Sequence, residues 1–225
     1  MADAGWAESA PAYIDYIDRG APERTLLLDP VMLEQCGDLA GRSVLDVGCG
    51  EGRWGRLLAA RGAHVTGLDL TPAMVRRAHE RRGEGEQYLR GNAERLPLAG
   101  AAFDLVTSYI MLVDVPDFRA AVREMARMLR PGGEVVVANL SFMSVNTGWV
   151  RDESGRRLYY AMDRYLDERA MTLEWSGVRI LNWHRPLSAY MAAFLEAGLV
   201  LRAFLEPHFA RWWLPDRVEF VAEIP

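Results

Sequence analysis

Two short apolar runs, each carrying an acidic residue at its end, constrain this chain more than any other feature. Ser43-Val44-Leu45-Asp46-Val47 leads into the glycine-rich turn Gly48-Cys49-Gly50-Glu51-Gly52, and after a helical pattern Gly67-Leu68-Asp69-Leu70 repeats the arrangement. The pair reads as strand, tight turn, helix and parallel strand, with a carboxylate at the carboxyl end of each strand. In an open α/β sheet, ligands bind outside those ends, near the switch in strand order. The segment therefore predicts a nucleotide-like ligand site.

The alternation continues along the chain. Val44–Val47 and His64–Leu68 are the first strands, with a helix over Arg53–Arg61 closed by Gly62. Thr71-Pro72 opens a helix to about Arg82, Thr as N-cap and Pro at the first helical position. Gln87–Arg90, Phe103–Ile110 and Glu134–Leu140 are further strands. Asp117–Leu129 has helical period, and Arg130-Pro131-Gly132-Gly133 stops it. Leu187–Ala197 is helical with Gly198 as its cap, and Leu199–Glu206 and Arg217–Ile224 complete the strands. The expected fold is one α/β domain over 1–225, a doubly wound, Rossmann-like, seven-stranded and mostly parallel sheet with the last strand antiparallel and helices on both faces. Residues 1–40 form an N-terminal helical lid, with Pro22 between helices. Residues 141–185 break the rhythm with many charges and with Phe142, Trp149, Tyr159, Tyr160, Tyr165, Trp175 and Trp183, and read as an insertion over the sheet's carboxyl edge.

Composition narrows the chemistry. A net charge of −5 argues against a nucleic-acid partner; Arg76, Arg77, Arg81 and Arg82 read as a solvated helix face. All 26 basic residues are Arg, so Schiff-base and phosphate-loop lysines are excluded. Cys36 and Cys49 are too few for a disulfide framework, and the histidines show no metal-ligand spacing. With no signal layout and no run approaching about 20 apolar residues, the default expectation is a cytoplasmic protein without a membrane partner, a monomer or a homodimer. Trp212, Trp213 and Leu214 offer a dimerisation patch or a cover for the last strand.

Glycines at 48, 50 and 52 let the backbone turn tightly and approach a ligand, and N–H groups at the start of the next helix favour a negative group. A dinucleotide fingerprint would be G-x-G-x-x-G; the spacing here is G-x-G-x-G, with Arg53 where the third dinucleotide glycine would fall. Asp46 would repel a pyrophosphate but attract an ammonium group. Asp69 follows Gly50 by about the distance a ribose-binding acid needs. The ligand thus reads as a nucleoside with a positively charged amino-acid tail; the plain alternative is that both acids cap turns.

These motifs resemble the class I S-adenosylmethionine-dependent methyltransferases, small-molecule members of the ubiquinone-biosynthesis type above all. The resemblance rests on 44–52 and 67–70, then Gly91-Asn92-Ala93-Glu94-Arg95-Leu96-Pro97, Ala102-Phe103-Asp104-Leu105-Val106 and Met128-Leu129-Arg130-Pro131-Gly132-Gly133. It implies S-adenosyl-L-methionine as cofactor. Gly48 to Gly52, with Asp46 and Cys49, would hold its methionine portion and Asp69 its ribose. Leu70 and Met74 would pack on the adenine, and Asn92, Ala93 and Glu94 would meet its edge, with Asn92 standing where the family usually has Asp. Ser108 and Tyr109 would face the sulfonium, and Tyr16 and Arg24 would close over the cofactor, Arg24 pairing with its carboxylate.

Methyl transfer needs positioning, water exclusion and at times proton removal, so weak catalytic signatures are expected. His184 is the candidate base, or else a structural histidine. Tyr109 could orient substrate or pack in the core, and Asn139 ends the fifth strand facing the site. Tyr165, Trp149 and Trp175 could line an aromatic pocket. The expected activity is methylation of an O, N or C atom of a small molecule. Alternatives are a cyclase that consumes the cofactor, making a small cyclic amino acid of the azetidine-2-carboxylate type and releasing methylthioadenosine; a non-catalytic cofactor-binding protein; and a nicotinamide dehydrogenase.

Overall fold

A computed structural model describes residues 4–140, 148–161 and 163–207, without the side chains of 148, 149 and 160. Its centre is a five-stranded, all-parallel sheet: β1 (Ser43–Val47), β2 (His64–Asp69), β3 (Glu86–Arg90), β4 (Phe103–Tyr109) and β5 (Leu129–Ala138), in the order β3-β2-β1-β4-β5. The strand order reverses between β1 and β4, so the glycine turn after β1 opens at the switch point.

Helices cover both faces because the central strands are apolar on both, and their period of two sorts the side chains. Leu45, Val47, Leu68 and Val106 pack on one face with Phe118, Ala121, Val122, Met125 and Met128 of α5 (Phe118–Met128) and with Tyr190 and Ala193 of α6 (Leu187–Glu196). Val44, Val65 and Leu105 pack on the other with Met32 and Cys36 of α2 (Asp29–Cys36) and Trp54 and Leu58 of α3 (Arg53–Ala59). α4 (Pro72–Arg81) buries Val75 and Ala78 against Cys49 and Tyr88. Asp117 caps α5, its side chain accepting from Ala120 N at 2.9 Å.

The seven-stranded expectation is corrected in part. Leu199–Glu206 is not in strand conformation: Val200–Glu206 is exposed and joins no ladder among the described residues, and Arg202 reaches back to Glu134 at 2.8 Å. Its apolar residues are consecutive rather than alternating, which gives a sheet edge no single face to bury. Arg217–Ile224 and the Trp212-Trp213-Leu214 patch lie outside the described residues, as does Phe142.

The 141–185 stretch contains two antiparallel hairpins, β6 (Gly148–Arg151) with β7 (Arg157–Ala161) and β8 (Arg169–Trp175) with β9 (Val178–His184). The β8–β9 turn is Ser176-Gly177, both with positive φ (47° and 81°), the backbone a two-residue hairpin needs.

The N-terminal segment is α1 (Trp6–Asp18), a wide helical turn over Glu23–Leu28, and α2. It is fastened at both ends of α1. Leu181 N donates to Ala4 O (2.8 Å), and Ser9 Oγ exchanges hydrogen bonds with Arg179 O and N (2.9 and 3.0 Å). At the other end Arg81 bridges Asp18 (2.6 Å) and Glu51 (2.8 Å), while Arg56 holds Glu51 from a second side (2.8 Å). Glu51 is 1% exposed, and two guanidinium groups keep that buried charge paired. Arg81, expected on a solvated face, instead ties α4 to α1 and to the glycine turn.

Candidate active site

A cavity of about 310 Å3 opens at the carboxyl ends of β1, β2 and β4, within the size range of small-ligand sites. The sheet contributes Gly48, Gly50 and Asp69 to its wall, and the segments after β2 and β3 contribute Leu70, Met74, Asn92, Ala93 and Glu94. Tyr13, Tyr16 and Arg24 reach it from the N-terminal segment, and Leu173, Trp175, Ile180 and Asn182 from the β8–β9 hairpin. A smaller recess of about 30 Å3 runs beneath the N-terminal helices between Asp46, Gly48, Cys49, Gly50, Arg24 and Tyr109.

Gly48 has φ +78°, and a Cβ there would lie 2.2 Å from Met111 Cγ, so a side chain is excluded twice over. Asp69 spans the turn: Oδ2 accepts from Gly50 N (2.9 Å) and Oδ1 from Thr71 N (2.8 Å). Burial raises its pKa, and those backbone bonds oppose the rise. Asp46 is 1% exposed. Its Oδ1 accepts from Thr107 Oγ1 (3.1 Å), and its Oδ2 has no partner among the described residues. Burial pushes its carboxyl up to about 7. Arg24 Nε is likewise buried and unpartnered among the described residues, while its guanidinium lies 5.1 Å from the Tyr109 ring centre and 5.8 Å from that of Tyr13. Tyr16 hydrogen-bonds to Glu23 beside it.

Tyr109 lines both spaces, but its hydroxyl is committed, donating to Asp29 Oδ1 at 2.8 Å. Arg53 grips the same carboxylate through two bonds of 2.6 and 2.9 Å. Burial and the Asp29 charge hold the phenol neutral, so the site uses the ring and not a phenolate. Arg53, at the third-glycine position of a dinucleotide motif, thus serves to anchor α2.

Several expected residues stand back from both spaces. Gly52 instead makes room for Tyr88: a Cβ there would lie 2.8 Å from the Tyr88 hydroxyl and 3.0 Å from Ala78 Cβ. Ser108 is fully buried within the sheet. His184, 0% exposed, bonds through Nε2 to Tyr165 O at 2.9 Å, and the Tyr165 hydroxyl accepts from Leu187 N at the start of α6 (2.8 Å). Those partners give the two residues structural positions. Asn139 is half-buried, and its neighbour Leu140 is the one that reaches the cavity. Trp149 has no described side chain.

Trp6 and Asp114 are cavity residues that motif reading missed, and Asn182 joins them from the end of the β8–β9 hairpin. Asp114 sits in the short helical turn after β4 (Leu112–Asp114) and accepts from Asn182 Nδ2. That turn is held by Arg185, 2% exposed, which donates to Leu112 O (2.9 Å), Val115 O (2.6 Å) and Pro116 O (2.9 Å). The strict alternation of Met171-Thr172-Leu173-Glu174-Trp175 is the signal that could have placed the hairpin wall.

Comparison with known proteins agrees with this geometry. A family profile described as "Methyltransferase domain" matches residues 45–137. A ubiquinone biosynthesis O-methyltransferase from Sodalis glossinidius is 41% identical over 117 residues, 49% of this chain and 46% of the relative. A malonyl-[acyl-carrier protein] O-methyltransferase from Serratia marcescens is 35% identical over 121 residues, 52% of this chain and 47% of the relative. The chain spans about half the length of the curated relatives it matches. Among solved structures, an S-adenosylmethionine dependent methyltransferase from Mesorhizobium loti superposes with a TM-score of 0.72 at 29% identity, over 82% of this chain and 84% of that one.

Proposed function

We infer from the chain's membership of the class I S-adenosylmethionine-dependent methyltransferase family that it transfers a methyl group from S-adenosylmethionine to an O, N or C atom of a small molecule. The observation that carries this reading is the recess under the N-terminal helices. Two of the side chains lining it each carry an atom without a partner among the described residues, the carboxylate oxygen Asp46 Oδ2 and the guanidinium nitrogen Arg24 Nε. A buried polar atom without a partner is costly, and an amino-acid zwitterion satisfies both. Its ammonium goes to Asp46 and its carboxylate to Arg24.

The remaining residues fit the rest of the cofactor. Asp69 borders the cavity where a ribose diol would meet its carboxylate, Leu70 and Met74 offer an apolar face for a purine, and Asn92, whose side chain bonds to Glu94 (3.2 Å to Oε2, 3.0 Å from its N–H to Oδ1), borders the purine edge. When bound, S-adenosylmethionine supplies an electrophilic methyl on a good leaving group. The chain's own contribution is orientation and exclusion of water. The N-terminal segment and the β8–β9 hairpin roof the cavity, and Tyr109, fixed between Asp29 and the Arg24 and Arg53 guanidinium groups, presents a ring face beside the recess.

Mass spectrometry of the purified protein incubated with S-adenosylmethionine tests the reading. The expected result is bound, intact cofactor that turns into S-adenosylhomocysteine only when a small nucleophile is added. Methylthioadenosine accumulating without a second substrate would overturn it in favour of self-cyclisation.

A further inference from the structure

We propose that Asp114 and Asn182 form the acceptor socket and that the acceptor is a small amine with an apolar body. The proposal rests on the cofactor reading above, because the glycine turn and the Arg24 recess are then taken and the hairpin wall is the space left for a second molecule. That wall is apolar and aromatic, with Leu173, Trp175 and Ile180 from the hairpin and Trp6 from α1. Asp114 and Asn182 interrupt it. The Asn182 amide turns its nitrogen to the Asp114 carboxylate. Its Oδ1, on a side chain 1% exposed, is left with no partner among the described residues. Two anchored acceptors therefore stand side by side.

The count of donors selects the ligand. A hydroxyl brings one hydrogen and can serve either the Asn182 amide oxygen or the Asp114 carboxylate, whereas an amine brings two or three and serves both at once. Charge points the same way. Among the described residues no ion pair is made to Asp114, and burial and the nearby Asp69 charge raise its pKa against the pull of Arg24, the Trp6 indole and the Asn182 amide. A cationic nitrogen relieves that buried charge, and aromatic faces attract it further. Asp114 then takes one proton from the ammonium. The freed nitrogen lone pair forms the new N–CH3 bond as the C–S bond breaks, with that electron pair passing to sulfur; the product leaves as the methylammonium ion, and the single proton taken by Asp114 passes to water.

Calorimetry on the full chain tests this. S-adenosylhomocysteine is titrated first, then phenethylamine against 2-phenylethanol and tryptamine against tryptophol. At least one amine should bind about tenfold or more tighter than its alcohol, and mass spectrometry should find it N-methylated when S-adenosylmethionine is supplied. Asn182→Leu and Asp114→Asn should each erase the amine preference, while the S-adenosylhomocysteine titration separates loss of the socket from loss of the fold. Alcohols binding as well as amines, no amine binding to the wild type, or an undiminished preference in both folded variants would overturn the proposal; the first two need no variant to fold. Failure of S-adenosylhomocysteine to bind the wild type would instead sink the cofactor reading and this proposal with it.

Discussion

Asp69 already accepts two backbone N–H bonds, from Gly50 and Thr71, so its carboxylate is held in place for the ribose contact proposed above. Asp69→Ala removes both the proposed ligand contact and the clasp on the turn, and S-adenosylhomocysteine should bind about 1.5–3 kcal/mol more weakly by calorimetry, the scale of bonds to charged groups. Unchanged affinity would remove Asp69 from the site. Asp46 predicts a pH dependence. With burial raising its pKa to about 7, the folded protein holds a proton that the unfolded chain gives up near pH 4. The stability this group contributes is full at low pH and is lost as pH rises toward 7. Binding an ammonium needs the ionised form, so S-adenosylhomocysteine affinity should increase between about pH 6 and about pH 8, and Asp46→Asn should flatten that slope. An affinity that is level in the wild type would show that Oδ2 meets no cation. For His184, committed to the Tyr165 carbonyl, His184→Asn should cost about 1–3 kcal/mol of stability in denaturant unfolding and leave the pH profile of turnover unchanged. A lost limb of that profile would restore it as the base.

The β8–β9 hairpin and the turn after β4 behave as one element because Arg185 joins them, donating to three carbonyls and stacking 4.4 Å from the Phe118 ring centre. Arg185→Met leaves those carbonyls unpaired and should destabilise the protein by about 3 kcal/mol in urea unfolding, with acceptor KM rising more than kcat falls. The five parallel strands and the helices between them were legible because each is a local pattern: an apolar run, a glycine turn, a 3.6-residue period. The hairpin was less legible. Its Met171, Leu173 and Trp175 alternate with Thr172 and Glu174, but the concentration of aromatics around it reads as bulk cover before it reads as period two. The wall proposed for the acceptor was hidden for a different reason. Trp6, Asp114 and Asn182 come from three segments with no shared motif, and only the tertiary fold puts an amide against a carboxylate. Leu199–Glu206 misled in the opposite sense, since β-forming residues make a strand only where an edge receives them.

At the scale of the molecule, the cavity has a floor made of sheet and a roof made of two remote pieces of chain. The roof pieces bond to each other, so ligand binding should order them together. S-adenosylhomocysteine is expected to slow hydrogen exchange in α1 and in β8–β9 by similar factors, with β6–β7 unaffected, as read by mass spectrometry. Protection confined to the glycine turn would show that the roof is independent of the ligand. The seam also has a timing of its own. Ser9 and Arg179 are 170 positions apart, and closing so long a loop costs about 4.5 kcal/mol of chain entropy before any contact repays it. The sheet, all of it within 43–138, can condense while the chain is still being synthesised, at about 5–20 residues per second. The first helix can tie to α4 through Asp18 and Arg81 early, but its Ser9 end waits for the hairpin, so the newborn protein passes several seconds with the floor of its cavity built and its roof half-fastened, and closure arrives last, in a single docking step.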